Sequence, residues 1–401
     1  MAVVIGINSG SSFDGVDAVA FEIEIAPDGH PTKPKFLAGS SYDWPAEVGE
    51  RVLASFENQV SLFEMTRLNY EAGAVYADAA KAIMGELGLT GPDVTVIGFD
   101  GQTVYQEPPV HARLDEGRAM GTVERWHEGI FGAGMQIGEP AVVAVETDTY
   151  VVTQFRPVDH SLGGTGAPLM QYLDFVSFRD IGPVLTLNIG GIANCQLADA
   201  DRSKMMAFDT GPGNVMIDHA IKRREGMSYD ADGALARTGT IVEELLDELV
   251  HHEFFDRPVP RSAWRLDFGS SYADAAMDRY ESASTADLLA TFTEFTAIAI
   301  SRSILDHVPH IEAMNALITS GGGVRNSFLM ERLAARLPAS LRLTTSDEFG
   351  IPAPYKEAIK FGTLAFAQMN DLANNIPAAC GASAFAVLGK RVTPPRIARG
   401  I

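Results

Sequence analysis

The stretch AFDTGPGNVMID, residues 207–218, sets a carboxylate, Asp209, beside a glycine-rich segment that leads into an apolar run of Val215, Ile217, Ala220 and Ile221. The preceding MMAF predicts the end of a buried strand, so Asp209 would stand at a strand end. A Thr-Gly-Pro-Gly turn and a helix headed by Asn214 would follow. Ligands of open α/β sheets bind at such strand ends, and a carboxylate there can serve as a general base if its surroundings tune it. Taken alone, the same pattern also describes an Asp in a tight turn and an Asn capping a helix.

Three further turns carry a similar mixture: SGSSFDG (9–15), GGTGAP (163–168) and SGGGVRN (320–326). Glycine permits close backbone approach, and several such turns with Ser, Thr or Asn can aim N–H groups at one polyanion. Asp14, Asp17, Asp100, Asp347, Glu348 and Glu357 are the other carboxylates near them. Phosphoryl transfer needs a divalent metal on one or two carboxylates and a base near the acceptor hydroxyl. Asp14, inside the serine-rich loop, could serve the metal. An Asp beside Gly is more often a turn residue, and Glu357 reads equally as a solvated first-turn acid. No GxxxxGK[ST] occurs, and no GxGxxG opens a first βα unit, so neither a P-loop nor a dinucleotide fingerprint is present. His251 and His252 lack the HExxH spacing, and Ser11 and Ser12 sit in no GxSxG elbow.

The elements that must position these turns follow from composition and periodicity. The chain has 401 residues, enough for two or three domains, and 46% are hydrophobic, enough for sizeable cores. Acidic residues outnumber basic ones 52 to 31 for a formal charge of −21, and no long basic run stands out, which argues against nucleic-acid backbones as partners. Cys195 and Cys380 have no CxxC partner and suit a reducing compartment. The opening MAVVIGINSG has no basic flank, and no apolar stretch reads as reaching the ~18 residues of a membrane span. A soluble cytoplasmic protein with no membrane partner is expected.

AVVIGI (2–7) predicts a buried strand, and VDAVAFEIEI its hairpin partner. Residues 46–88 predict two helices, DVTVIGFD a strand, and 107–135 an irregular insertion or lid. VLTLNIGGIANCQL repeats the opening strand-turn-strand design. A long helix over 284–308, the strand ALITS, the helix SFLMERLAARL and a final core helix KEAIKFGTLAFAQM complete the pattern. Strands alternating with helices, with a hairpin heading each half, predict an α/β protein of two lobes with a cleft between them. The expected lobes are 1–165, with 375–401 packing back on it, and 166–374.

In order along the chain, GINSGSSFDGVDA, FDGQTVYQEP, QIGEPA, FRPVDHSLGGTGAPL, LNIGGIANCQL, FDTGPGNVMID, YDADGALARTG, SGGGVRNSFLMERL and TTSDEFGIPAPYKEAIKF, then a closing VLG, resemble the 1,6-anhydro-N-acetylmuramic acid kinase family. That family includes levoglucosan kinase. The resemblance implies the actin and sugar-kinase fold, two lobes each with a five-stranded core of ribonuclease-H type. It implies ATP and Mg2+ as cofactors, a small sugar as acceptor, and a homodimer. By the same resemblance Asp209 is the catalytic base that activates water to attack the anomeric carbon while O6 takes the γ-phosphoryl group. Asp14 and Glu357 would hold magnesium. Ser9, Gly10, Ser11 and Ser12 resemble the first phosphate loop, Asn188, Gly190 and Gly191 the second, and Gly321, Gly322, Gly323 and Asn326 the nucleotide-binding turn, with Gly211 beside them. Gln102, Thr103, Arg156 and Gly164 to Pro168 look like sugar-side residues. Burial of Asp209 near an acidic pair would raise its pKa toward useful basicity.

The departures fall on the acceptor side. The family's Asp-Phe-Arg-Arg-Arg-Asp is Gln154, Phe155, Arg156, Pro157, Val158, Asp159 here, so two arginines that suit a lactyl carboxylate are gone. HGQT has become DGQT with Asp100, and Lys-Ser-Thr-Gly-Arg-Glu has become Arg261, Ser262, Ala263, Trp264, Arg265, Leu266. Residues 107–135 look longer than the family norm. The muramic acid derivative is therefore the expected acceptor by family and a neutral anhydrosugar the runner-up. A non-catalytic sugar-binding member, or an ATPase of actin or chaperone type, shares the fold. Retention of Asp14, Asp209 and Glu357 together argues for chemistry.

Overall fold

The computed structural model describes residues 1–395 apart from Ser11, Ser12, Asp14, Trp264 and Asn315. The chain divides into two compact units, one of residues 1–180, 201–203 and 350–401, the other of 181–200 and 204–349. Unit 1 therefore takes in the helix Met170–Phe178 and the helix Lys356–Met369, both expected in the other lobe. A buried ion pair joins these two helices, Lys356 Nζ lying 2.8 Å from Asp174 Oδ1.

In unit 1, β1 (Ala2–Asn8), β2 (Val16–Ile23) and β3 (Lys35–Tyr42) form an antiparallel meander. β4 (Val94–Gly98) then pairs parallel to β1. A hairpin of β5 (Gln102–Glu107) and β6 (Ala133–Ile137) stands apart as its own two-stranded sheet. β7 (Val151–Thr153) joins the main sheet parallel to β4, and Lys390–Val392 adds a sixth, antiparallel edge strand. That edge strand had no sequence signal, because KRV is short and two of its three residues are charged. Residues 107–135 are more ordered than expected: they hold the short helices Leu114–Ala119 and Thr122–His127, packed through Leu114, Ile130 and Phe131.

Unit 2 repeats the plan. β8 (Val184–Ile189), β9 (Ile192–Ala198) and β10 (Met206–Pro212) are antiparallel neighbours, while β11 (Ala316–Ser320) and β12 (Arg342–Thr345) follow in parallel on the far side of β8. Numbering the five core strands within each unit by chain order, both sheets run 3-2-1-4-5. This is the duplicated ribonuclease-H-like α/β arrangement of the actin and sugar-kinase fold. The unit 2 core sits between one sheet face and the helix Thr285–His307, whose N-terminus is capped by Ser284 accepting from the Asp287 N–H. This helix is long and apolar enough to cross a membrane by length and composition, contrary to the expectation of no such stretch. Its faces are mostly buried in the unit's core.

β10 departs from the expected strand-then-turn. The strand continues through Asp209-Thr210-Gly211-Pro212, with a register shift against β9 between Asp209 and Gly211. A bulge re-aims side chains without ending the pairing. The turn comes later, at Gly213, where a Cβ would stand 2.3 Å from the Gly190 carbonyl oxygen.

The helix Lys356–Met369 lies directly on β1 and β4. Gly6 and Gly98 are register partners on those strands. A Cβ on Gly6 would meet the Ala358 carbonyl oxygen at 1.9 Å, and one on Gly98 the Phe361 carbonyl oxygen at 2.3 Å. No side chain can relieve a clash with backbone. Gly98→Ala is expected to lower unfolding free energy by about 1–3 kcal/mol through overpacking, read from the midpoint of urea denaturation.

Candidate active site

Asp209 is carried on a paired strand, where its position is defined on both sides. Its N–H donates to the Arg261 carbonyl at 2.9 Å, and its own carbonyl accepts from Arg261 Nε at 3.2 Å. Its Oδ2 accepts from the Ala263 N–H at 2.7 Å. The buried Arg261 also donates to the Phe255 and Arg257 carbonyls and to Ser303 Oγ, and lies 4.6 Å over the Phe254 ring. Arg261 thus holds the 254–263 loop against β10, and its spent donors make it a positioning residue. The residue keeps a partly accessible edge, but its carboxyl is desolvated, and burial pushes its pKa up to about 7. The Ala263 N–H and the Arg261 charge oppose that rise, and Asp267 adds to it. A single carboxylate, rather than an acidic pair, makes the smaller contribution. A carboxylate with this affinity for protons can accept one near neutral pH.

The other unit 2 residues gather at the carboxyl ends of parallel strands. Ser320 at the end of β11 is the register partner of Asn188 on β8, so the Gly190-Gly191 turn and the Gly321–Gly323 segment leave the sheet side by side. This is where open α/β sheets bind ligands, and Gly322 is exposed there. Two expectations change. Gly211 lies within β10, paired with Ala193, rather than in a phosphate turn. The N–H groups of Gly213, Asn214 and Val215 donate to the Gly190 and Gly191 carbonyls at 2.8, 2.8 and 3.1 Å, so this turn braces its neighbour. Asn214 does not cap its helix through its side chain, which donates to the Gly190 carbonyl at 3.1 Å. Asn326 caps the helix Ser327–Ala334 by accepting from the Leu329 N–H at 3.0 Å.

In unit 1, Ser9 and Gly10 follow β1, and Ser9 Oγ donates to Gln102 Oε1. Ser11 and Ser12, expected in the first phosphate loop, and Asp14, expected to hold magnesium, lie outside the described residues. Glu357, in the first turn of Lys356–Met369, accepts from Asn8 Nδ2 at 3.3 Å, with Lys360 Nζ 4.0 Å away. The solvated first-turn reading is thus incomplete, because Asn8 links the acid to the end of β1. No group of three His, Cys, Asp or Glu that could hold a metal occurs among the described residues. Mg2+ requires less: one or two carboxylates suffice when waters and phosphates complete the octahedron. Glu357, half exposed and a hard oxygen donor, fits that role.

Of the residues expected on the sugar side, Arg156 and the Gly164–Pro168 loop are joined by hydrogen bonds. Asp100 is buried, and its carboxylate accepts from the Phe155 N–H at 3.1 Å and from Arg156 Nε at 2.5 Å. Arg156 also donates to the Gly166 carbonyl at 2.8 Å. Gln102 is buried, and Thr103 follows it on β5. The Gly164–Pro168 loop is fastened from below: the Gly166 N–H donates to Asp159 Oδ2 at 2.8 Å, and Cys380 Sγ to Asp159 Oδ1 at 3.0 Å. Burial raises the pKa of both Asp159 and Cys380. Sequence reading did not single out Arg261, Asn8 or Asp159. Arg261 was visible only as a departure from the family stretch, and Asp159 only as a letter in a motif.

The raised pKa of Asp209 has a consequence for stability. Its folded-state value of about 7 exceeds the ordinary 3.8, so between those values the folded protein holds the extra proton. The carboxyl's contribution to stability therefore falls as pH rises from about 4 to 7. Asp209→Asn, which can still accept from Ala263, is expected to melt higher than the parent at pH 8, with the gap closing by pH 4 in thermal unfolding.

A family model described as anhydro-N-acetylmuramic acid kinase matches residues 2–117 and 116–394. The anhydro-N-acetylmuramic acid kinase of Caldanaerobacter subterraneus subsp. tengcongensis is 34% identical over 396 residues, covering 97% of this chain and 96% of its own. Those of Bacillus cereus and Francisella tularensis subsp. novicida are each 32% identical, the first over 98% of this chain and 99% of its own, the second over 96% and 97%. The match spans both units, and every stretch used above to build the site lies within it. The chain belongs to the anhydro-N-acetylmuramic acid kinase family and is a phosphotransferase acting on a hydroxyl group.

Proposed function

We propose that the protein uses ATP to phosphorylate the 6-hydroxyl of a 1,6-anhydrosugar while opening its anhydro bridge, with 1,6-anhydro-N-acetylmuramic acid from cell-wall recycling as the acceptor. The observation that carries this reading is the desolvated Asp209, rigidly held and poised near neutral pH. In this reading Asp209 takes a proton from a water molecule as the water oxygen bonds to the anomeric carbon. The bond from that carbon to O6 breaks, and O6 takes the γ-phosphoryl group with release of ADP. The Gly190-Gly191 turn and the Gly321–Gly323 segment would offer N–H groups to phosphate oxygens, as would the Ser9-Gly10 loop. Glu357, with Asp14, would hold Mg2+, which neutralises charge on the phosphates when bound. Gln102, Thr103, Arg156 and the Gly164–Pro168 loop would bind the sugar. A cytoplasmic homodimer belongs to the same reading.

One observation favours a neutral anhydrosugar such as levoglucosan as a second acceptor. Arg156, the one arginine left in its stretch, is already charge-paired by Asp100 and bound to the Gly166 carbonyl. That leaves it a weaker partner for a lactyl carboxylate.

The test is ADP release with the two sugars side by side. Turnover with the muramic acid derivative supports the first reading. Turnover with levoglucosan alone supports the second, and ATP binding without turnover on any anhydrosugar marks a non-catalytic member. With the active sugar, kcat/KM is expected to rise with pH through an acid limb near 7, because Asp209 of the free enzyme must lose its proton to act. Asp209→Asn should lower kcat by about 10²–10⁴-fold while ATP binding, read by calorimetry, persists. Arg156→Leu should raise the acceptor KM by about 10-fold or more, the worth of a charge-assisted hydrogen bond, and leave the ATP KM near the parent's.

A further inference from the structure

Asp209 does not stand alone on its sheet face. It is the register partner of Asn194 on β9, which is in turn the partner of Asn188 on β8, itself paired with Ser320 on β11. Directly opposed residues of neighbouring strands share a face with Cβ atoms about 5 Å apart. The opposite face carries Leu187, Cys195 and Phe208 into the core. One row of polar side chains thus crosses four strands at the end that carries Asp209.

Asn194 is oriented from behind. Thr186 Oγ1 donates to Gln196 Oε1 at 2.7 Å, and Gln196 Nε2 donates to Asn194 Oδ1 at 2.6 Å. Thr186 and Gln196 are fully buried, so this relay cannot be exchanged for water. With its oxygen engaged, Asn194 turns its NH2 group outward, and the residue is partly exposed. The reverse arrangement would turn a carbonyl oxygen toward the carboxylate of its neighbour, an acceptor against an acceptor.

We propose that Asn194 is a binding residue of the Asp209 site, whose NH2 group holds the oxygen from which Asp209 takes its proton. This rests on the kinase reading above. The water that attacks the anomeric carbon has two hydrogens and two lone pairs. One hydrogen goes to Asp209 and one lone pair to the anomeric carbon, and the Asn194 N–H takes the remaining lone pair. Two fixed contacts on one water define its direction of attack, which one carboxylate cannot do. The Thr186–Gln196 relay is the positioning part, acting through Asn194.

The test uses the full chain with Asn194→Ala and Asn194→Asp. With the active anhydrosugar, Asn194→Ala is expected to lower kcat by 30-fold or more, with the ATP KM within threefold of the parent. A merely structural residue would instead lower the melting temperature and leave that split unmoved. A second readout needs no turnover: the Asp209 carboxyl is titrated by 13C NMR, its signal assigned by its loss in Asp209→Asn. Arg261 and Asp267 are the charged groups that act on Asp209 in the parent. Asn194→Asp adds a third at the opposed position, and the Asp209 proton affinity should rise at least tenfold. If it does not move, the two side chains do not face one site and the proposal is overturned, whatever the sugar. A parent that turns over normally while Asn194→Ala keeps kcat within threefold also overturns it. If the parent is silent on every sugar yet the titration shifts, the kinase reading fails and the Asn194–Asp209 pairing stands.

Discussion

The approach of one helix to one sheet governs the geometry of unit 1. The helix Lys356–Met369 runs over β1 and β4 with its backbone where side chains would otherwise be, and the paired glycines Gly6 and Gly98 make room for it. At that distance the helix has little freedom to slide or rotate. Its first turn therefore delivers Glu357 to Asn8 at the end of β1, beside the Ser9-Gly10 loop. The Lys356–Asp174 pair fastens the same turn to the helix Met170–Phe178 with both charges removed from water. Such a pair adds little net stability, but losing one partner strands the other as a buried charge. The acid expected to meet the metal is thus located by a contact between backbones.

Unit 2 meets a similar demand by a different device. Gly213 lets the exit of β10 close on the Gly190 carbonyl, and three N–H groups of that exit lock the β8–β9 turn. Asp209 is consequently part of a sheet, and a sheet holds a side chain more tightly than a loop. Its pKa reflects a contest that burial wins. The Arg261 guanidinium and the Ala263 N–H both favour the charged form, yet the carboxyl stands near 7 against an ordinary 3.8. Desolvation thus outweighs two attractive partners. The arginine that opposes the rise also keeps the carboxyl in place, through backbone contacts rather than a salt bridge.

Much of the fold was readable because its strands are apolar runs ended by glycine turns and its helices carry capping residues. Ser61, Ser284 and Asn326 each accept from a first-turn N–H. The repeated strand-turn-strand openings correctly announced two sheets on one plan. The errors came where partners distant in sequence decide. DTGPG looks like a turn by composition, but β9 supplies pairing across a bulge and makes it strand. KRV at 390–392 becomes an edge strand only because β7 offers an open side.

By itself the amino-acid sequence determined the family, the α/β class and the duplicated plan, and it singled out Asp209 as the carboxylate proposed to act as the base. These depend on local pattern and on motifs kept in order. Only the tertiary structure decided what that carboxylate is worth as a base. Its desolvation, its tether to Arg261 and Ala263, and its alignment with Asn194 join residues 54, 52 and 15 positions away in the chain. The same holds for Arg156, whose charge the sequence displays and whose pairing with Asp100, 56 positions away, the fold imposes. A pKa or a spent hydrogen-bond donor belongs to an environment, and an environment exists only once the chain has closed on itself.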